Sequence, residues 1–130
     1  EIGTGSGYQA CILLELGAKL YTIERQEKLY ERTIQVLPYM GYKPQFFLGD
    51  GSKGIAEHAP YDKIIVTAGA PLVPDILLKQ LNIGGILVIP VGDDTGQKML
   101  RITKDPDGTR HIEEGGDFSF VPMLSGKNNK

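Results

Sequence analysis

The sequence predicts an α/β fold, a doubly wound, mostly parallel sheet with helices on both faces that ends in antiparallel strands. Three observations predict it. Apolar, β-branched segments alternate with segments of helical period as far as residue 91. A glycine-rich turn, Gly3-Thr4-Gly5-Ser6-Gly7, precedes the first helical segment. Beyond residue 91 the next connection is too short for a parallel crossover, which takes a dozen or more residues.

Composition limits the classes of function. The 130 residues suffice for one domain, which we assign to residues 1–124, followed by a flexible polar tail at 125–130. A net charge of −2 gives no electrostatic case for binding nucleic acid or an anionic membrane, and no apolar run approaches a membrane span. Cys11 is the one cysteine, which excludes an internal disulfide and favours a reducing, cytoplasmic location.

The first strand is predicted to be cut short, since only Glu1 and Ile2 precede the glycine turn, whereas a strand usually runs about 5–6 residues. We therefore expect the sequence to be an internal segment of a longer protein. The alternate glycines leave one face of the turn without side chains. The helix that follows the turn begins with unpaired backbone N–H groups. This arrangement suits an adenosine-bearing cofactor, although a flexible loop is the alternative.

The first helix is predicted at residues 8–16 and the second strand at residues 19–24, which is rich in β-branched and aromatic residues. Glu24 ends this strand about 20 positions after Gly3, the position from which a carboxylate accepts hydrogen bonds from a ribose diol. The alternative is a solvated carboxylate paired with Arg25.

A second helix is predicted at residues 26–40 and a third strand at residues 45–48. The loop after that strand, Gly49-Asp50-Gly51-Ser52, lies at the same carboxyl edge of an open sheet. Asp50 could accept a hydrogen bond from an adenine amino group, or could form an Asx turn.

The second half begins with a short irregular piece at 52–58. A continuous apolar run then predicts a buried fourth strand at 62–67, and a helix follows from Pro74 or Asp75 through Leu81. The fifth strand spans 86–91, strand 98–103 turns back antiparallel to it, and a further strand lies within 109–124 after a turn at 105–108.

Two common nucleotide motifs are disfavoured. The dinucleotide fingerprint needs Gly or Ala where this chain has Tyr8, and no Lys-Ser/Thr pair follows the glycines as in a triphosphate loop. His58 and His111 are isolated in the sequence, so no metal is predicted.

Five motifs together resemble the protein-L-isoaspartate O-methyltransferase family. They are Glu-Ile-Gly-Thr-Gly-Ser-Gly-Tyr-Gln-Ala, Tyr-Thr-Ile-Glu-Arg, Gly-Asp-Gly-Ser-Lys-Gly, Ala-Pro-Tyr-Asp-Lys-Ile-Ile-Val-Thr-Ala and Gly-Gly-Ile-Leu-Val-Ile-Pro-Val-Gly. The resemblance extends to Phe120-Val121-Pro122. It implies a Rossmann-like methyltransferase fold, S-adenosyl-L-methionine as cofactor, and methylation of the free α-carboxylate of L-isoaspartyl residues in damaged proteins.

The resemblance also implies site residues. The cofactor would be bound by residues of the glycine turn, the tip of the second strand and two later loops: Gly3, Thr4, Gly5, Gly7, Glu24, Asp50, Gly51 and Thr67. The acceptors would be isoaspartyl-containing proteins and peptides, with no nucleic acid, membrane or metal. An ionised carboxylate and an activated sulfonium need no strong general base, so alignment carries most of the catalysis.

This chain departs from the family pattern at its start. Members carry helices ahead of the glycine turn, including a hydroxyl-bearing active-site residue, so the catalytic residue is expected upstream of Glu1. These 130 residues alone are therefore expected to be poorly active. Two alternatives stay open: a methyltransferase with a small-molecule or RNA acceptor, and a cofactor-binding module without catalysis.

Overall fold

The computed structural model describes residues 1–128, which form two compact units. Unit 1 comprises residues 1–51 together with the chain from residue 125, and unit 2 comprises residues 52–124. In chain order the helices and strands are α1 (Tyr8–Glu15), β1 (Tyr21–Glu24), α2 (Glu27–Tyr39), β2 (Gln45–Leu48), β3 (Tyr61–Ile65), α3 (Asp75–Lys79), β4 (Leu81–Asp93), β5 (Gly96–Lys104) and β6 (Arg110–Phe118), with 3₁₀ turns at Gly51–Lys53 and Ala56–His58.

Unit 1 has parallel strands connected by helices, as predicted. β1 pairs with β2 in parallel from Tyr21↔Gln45 to Glu24↔Leu48. On the other side of β1, Ile2 forms a parallel bridge to Ile23. Three chain segments therefore run in the same direction and end at one edge.

The core of unit 1 lies between its helices and strands. Ala10, Leu20 and Leu37 are buried together, and Cys11 packs against them. Burial raises the pKa of the Cys11 thiol, as expected for a small packing residue rather than a nucleophile.

The start of α1 lies very close to α2. Gly7 precedes α1 with φ +86°, and a Cβ atom added there would lie 2.5 Å from Cδ1 of Leu37, which is fully buried in α2. A side chain at position 7 would therefore collide with the core. Backbone conformation and packing both require glycine here.

The last described residues are bonded within unit 1 to the chain between β1 and α2. Asn128 donates its backbone N–H to Arg25 O at 2.8 Å and accepts from Glu27 N at 2.9 Å, and Arg25 Nε donates to Gly126 O. A flexible tail would have to break these bonds. The flexibility of the tail therefore stays a prediction. Residues 129 and 130 of the predicted tail lie outside the described residues.

Unit 2 holds a four-stranded sheet in the order β3-β4-β5-β6. The β3–β4 pair is parallel, and the β4–β5 and β5–β6 pairs are antiparallel. The antiparallel end predicted from the short connection after residue 91 is therefore present, with β4 and β5 joined by a tight turn.

The predicted helix through Leu81 is wrong at its end. α3 ends at Lys79, and Leu81 already pairs with Tyr61 as the first residue of β4. Lys104 Nζ donates to the carbonyls of Leu78 and Leu81, so the end of the helix is satisfied by a side chain from β5. The register then shifts between Tyr61 and Lys63, which leaves residues 82–85 as an irregularity within the longer strand.

Within residues 1–128, no helix combines the length and the apolar character that crossing a membrane requires.

Replacing Gly7 by Ala is expected to lower the free energy of unfolding by about 2–5 kcal/mol. Positive φ costs an alanine about 1–2 kcal/mol, and overpacking against Leu37 adds roughly 1–3 kcal/mol. Gly17→Ala is the matched control, because Gly17 also has positive φ but a Cβ there meets nothing within 4 Å. Urea unfolding of the native protein measures both; equal losses would contradict the packing argument.

Candidate functional site

The ends of three parallel segments meet in unit 1. Gly3 N donates to Ile23 O at 2.9 Å, which joins the glycine turn to β1. Gly49 N donates to Glu24 O at 2.9 Å, which joins the loop after β2 to the tip of β1. The turn, Glu24 and the Gly49–Gly51 loop therefore lie at one edge, the edge at which open α/β sheets bind ligands.

The glycine turn has left-handed backbone at each of its three glycines, with φ +98°, +56° and +86° at Gly3, Gly5 and Gly7. At Gly5 an added Cβ points into open space, with nothing within 4 Å, whereas one at Gly7 meets Leu37. Gly5 therefore leaves its backbone accessible to a ligand. Gly7, predicted to line the cofactor, lacks a side chain for the packing reason given above.

Glu24 braces this turn with its side chain. Its carboxylate is buried, and accepts Gly5 N at Oε1 (2.8 Å) and Gln26 N at Oε2 (2.9 Å). A solvated surface carboxylate is thereby excluded. A carboxylate has about four acceptor positions, and these bonds use two. The remaining positions suit a ligand that presents two hydroxyl groups.

Thr4 uses its side chain inside unit 1. Its hydroxyl lies 2.6 Å from that of Thr22, and both residues are buried. Thr22 donates its one proton to Glu1 Oε1 at 2.7 Å, so Thr4 is the donor to Thr22. A contact between Thr4 and a ligand would therefore have to use its backbone.

Glu1 is the residue at this edge that the sequence reasoning missed. Its carboxylate accepts from Thr22 and from Gln9 Nε2 at 3.1 Å. Burial raises the pKa of the Glu1 carboxyl, and the Thr22 hydroxyl acts in the opposite direction. An acidic residue directly before an apolar residue and a glycine turn is an unusual choice for a buried strand, and this signal could have identified it.

The loop after β2 places Asp50 between two closely packed glycines. A Cβ at Gly51 would lie 2.4 Å from Cγ2 of Ile2, and one at Gly49 would lie 3.3 Å from Cδ1 of Ile23. Gly51 is thus needed for the close approach to Ile2, whereas Gly49 is in tight contact with Ile23, and Asp50 is half-buried between them. Adenine binding by Asp50 and Gly51 stays a prediction.

Thr67 belongs to unit 2, just beyond β3. The chain there is held to β4: Val66 N donates to Val88 O, and Ala70 N donates to Pro90 O, each at 2.9 Å. The structure thus brings together in unit 1 all the predicted cofactor residues except Thr67.

Among residues 1–128, no three His, Cys, Asp or Glu side chains lie close enough to one another to hold a metal ion.

Comparison with known proteins places this arrangement in context. The family model described as Protein-L-isoaspartate(D-aspartate) O-methyltransferase matches residues 1–128. A protein-L-isoaspartate O-methyltransferase of Cytophaga hutchinsonii is 57% identical over 124 residues, which are 95% of this chain and 56% of that protein. The chain thus spans little more than half the length of this relative.

Two solved structures share the fold. One, a protein-L-isoaspartate O-methyltransferase, superposes with a TM-score of 0.84 and 28% identity over 93% of this chain and 40% of its own. The other is a putative protein-L-isoaspartate O-methyltransferase of Plasmodium falciparum in complex with S-adenosyl-L-homocysteine. Its TM-score is 0.74 at 24% identity, over 95% of this chain and 63% of its own. These likenesses confirm the predicted Rossmann-like methyltransferase fold.

Replacing Glu24 by Gln is expected to remove one of the two bonds to Gly5 N and Gln26 N, because an amide nitrogen cannot accept from an N–H group. We expect a loss of roughly 1–3 kcal/mol in the free energy of unfolding, the cost of an unsatisfied buried donor. Amide hydrogen exchange at Gly5 or Gln26 should also accelerate. Glu31→Gln, the same change at an exposed position of α2, is the control; equal effects of the two variants would refute the bracing role.

Proposed function

Because this chain belongs to the protein-L-isoaspartate O-methyltransferase family, we propose that the native protein is an S-adenosyl-L-methionine-dependent methyltransferase. Its acceptor is the free α-carboxylate of L-isoaspartyl residues in damaged proteins and peptides. The observation that carries the proposal is the pairing of an open Gly5 backbone with the buried Glu24 carboxylate at the ends of parallel strands.

The residues of unit 1 fit this cofactor. Gly5 has no side chain, and the space that a Cβ would occupy is open, so a ligand can approach its backbone. Glu24 keeps acceptor positions for the two ribose hydroxyls. Asp50 and Gly51, at the same edge, are our proposed adenine contacts, and Gly3, Thr4 and Gly7 shape the turn. Thr67, in unit 2, is proposed as a further contact.

The proposed methyl transfer needs few reactive side chains from the protein. When bound, S-adenosylmethionine supplies a methyl group on a sulfonium, which is already activated for displacement. The acceptor carboxylate has a reference pKa near 3.3–3.7 and is ionised at neutral pH, so no residue has to remove a proton. The contribution of this chain is then to bind, orient and desolvate. Glu24 fixes the turn, and the turn fixes the position of the methyl donor.

The cell compartment and partners follow from the same proposal. We place the protein in the cytoplasm, where aged proteins that carry isoaspartyl residues would be its partners. The proposal rests on the cysteine content: with Cys11 as its one cysteine, this sequence holds no internal disulfide that would favour an oxidising compartment.

A peptide panel tests the acceptor. We expect the full native chain to transfer labelled methyl groups to isoaspartyl peptides and not to matched peptides with a normal aspartate. Methylation of both peptides, or of neither while another acceptor is methylated, would overturn the acceptor assignment. Isothermal titration that detects no S-adenosylmethionine binding would overturn the methyltransferase assignment as a whole.

Replacing Gly5 by Ala tests the cofactor contact. The added methyl group would enter the space proposed for the ligand, so the Kd for S-adenosylmethionine should rise roughly 10- to 100-fold, as expected for about 1–3 kcal/mol of overpacking. Gly5→Val, the larger change, should abolish binding.

Gly41→Ala is the control for Gly5→Ala, because Gly41 also has positive φ and open space. Calorimetric titration measures affinity and thermal denaturation measures folding. A Gly5→Ala protein that is folded and binds as tightly as wild type would disprove the contact.

A further inference from the structure

A segment far along the chain pairs with the turn between β1 and α2 in unit 1. Asn128 N donates to Arg25 O at 2.8 Å, and Asn128 O accepts from Glu27 N at 2.9 Å. These two bonds form a parallel bridge that places Asn128 beside Gln26. The backbone of Asn128 therefore holds the chain on both sides of Gln26.

Side chains extend this pairing. Asn128 Nδ2 donates to Gln26 Oε1 at 3.1 Å, and Arg25 Nε donates to Gly126 O at 3.2 Å. We call residues 126–128 the strap. The partners of these two bonds are 102 and 101 positions apart in the sequence, so the strap joins distant parts of the chain.

The strap also completes the start of α2. The first N–H groups of a helix have no partner within the helix. Gln26, the residue before α2, makes no side-chain bond that caps the helix. The first helical N–H group, that of Glu27, donates to Asn128 O instead. The position of the helix start therefore depends on the strap.

Gln26 links the strap to the candidate cofactor site. Its backbone N–H donates to Glu24 Oε2 at 2.9 Å, while Gly5 N donates to Oε1 at 2.8 Å. Two N–H groups thus orient the buried carboxylate, and one of them belongs to the residue that the strap holds on both sides. A shift of Gln26 would turn the carboxylate and move its remaining acceptor positions. All of these residues belong to unit 1.

We propose that Asn128 is a positioning residue for the ribose of the cofactor. Asn128 holds Gln26, the Gln26 N–H orients the Glu24 carboxylate, and the carboxylate accepts from the two ribose hydroxyls. The inference rests on the proposed function, in which Glu24 binds the ribose. It adds to that function a dependence of cofactor affinity on the strap.

Two proline substitutions in the full native chain test the proposal. Asn128→Pro removes the N–H group that donates to Arg25 O. Ser125→Pro is the matched control, because Ser125 is exposed, lies just before the strap, and has no partner for its N–H group within residues 1–128. Each variant is titrated with S-adenosylhomocysteine and with its analogue that lacks both ribose hydroxyls. Amide hydrogen exchange at Gln26 reports on the strap itself.

We expect Asn128→Pro to raise the Kd for S-adenosylhomocysteine roughly 3- to 30-fold, since hydrogen bonds to a charged group would be weakened in part. Its Kd for the analogue should stay within about twofold of wild type, because the analogue has no hydroxyl for Glu24 to bind. Amide exchange at Gln26 should accelerate. Ser125→Pro should leave both Kd values within about twofold of wild type.

The comparison of the two ligands separates positioning from a purely structural role. If Asn128→Pro loses affinity for both ligands alike, or for neither, Asn128 only stabilises the fold and the proposal is overturned. If this variant does not fold, Asn128→Ala takes its place, because it removes only the Nδ2 bond to Gln26. Its Kd for S-adenosylhomocysteine should rise about two- to fivefold, and an unchanged ratio of the two Kd values would overturn the proposal.

Failure of the proposed function gives a different result. A wild-type protein that binds neither ligand would defeat the methyltransferase assignment. One that binds both ligands equally tightly would defeat the ribose contact of Glu24, and either result overturns the positioning role as well. If wild type prefers S-adenosylhomocysteine and the Asn128 variants keep that preference, the positioning role alone is defeated.

Discussion

The buried carboxylate of Glu24 is the interaction on which the candidate site depends. A charge removed from water must be compensated by hydrogen bonds, and here Gly5 N and Gln26 N supply them at 2.8 and 2.9 Å. Those two bonds tie the glycine turn, the tip of β1 and the approach to α2 into one frame. The carboxylate thus fixes the turn, and it is the group through which we propose that the turn also binds the cofactor.

The glycines around this frame serve different physical purposes. At Gly5 the missing side chain leaves open space at the strand ends, as a binding turn requires. At Gly7 and Gly51 it leaves room for Leu37 and Ile2, so the turn and the loop after β2 can lie against the core. The same residue type therefore leaves open space at one position of the motif and allows close packing at others.

Unit 2 uses a polar side chain for a comparable purpose. In the antiparallel β4–β5–β6 end, the Gln97 amide bonds the backbone of Asp93 in β4 and of Phe120 after β6. The buried Gln97 and the buried Glu24 have the same logic. Each is a buried polar group whose hydrogen bonds to backbone hold neighbouring loops in position.

Periodicity, connection length and local motifs are enough to predict the order of strands and helices, the antiparallel end, the family and the position of Glu24. The end of α3 depends on long-range contacts instead: Lys104 bonds the carbonyl of Leu78 in the helix and that of Leu81, which already joins the sheet. The same holds for the inward-pointing Thr4, the bonds of the half-buried Glu1 and the buried Gln97, and the packing of Gly7 against Leu37. The physical reason is that these features depend on which distant backbone and side-chain atoms become neighbours, and no local pattern of residues encodes such contacts.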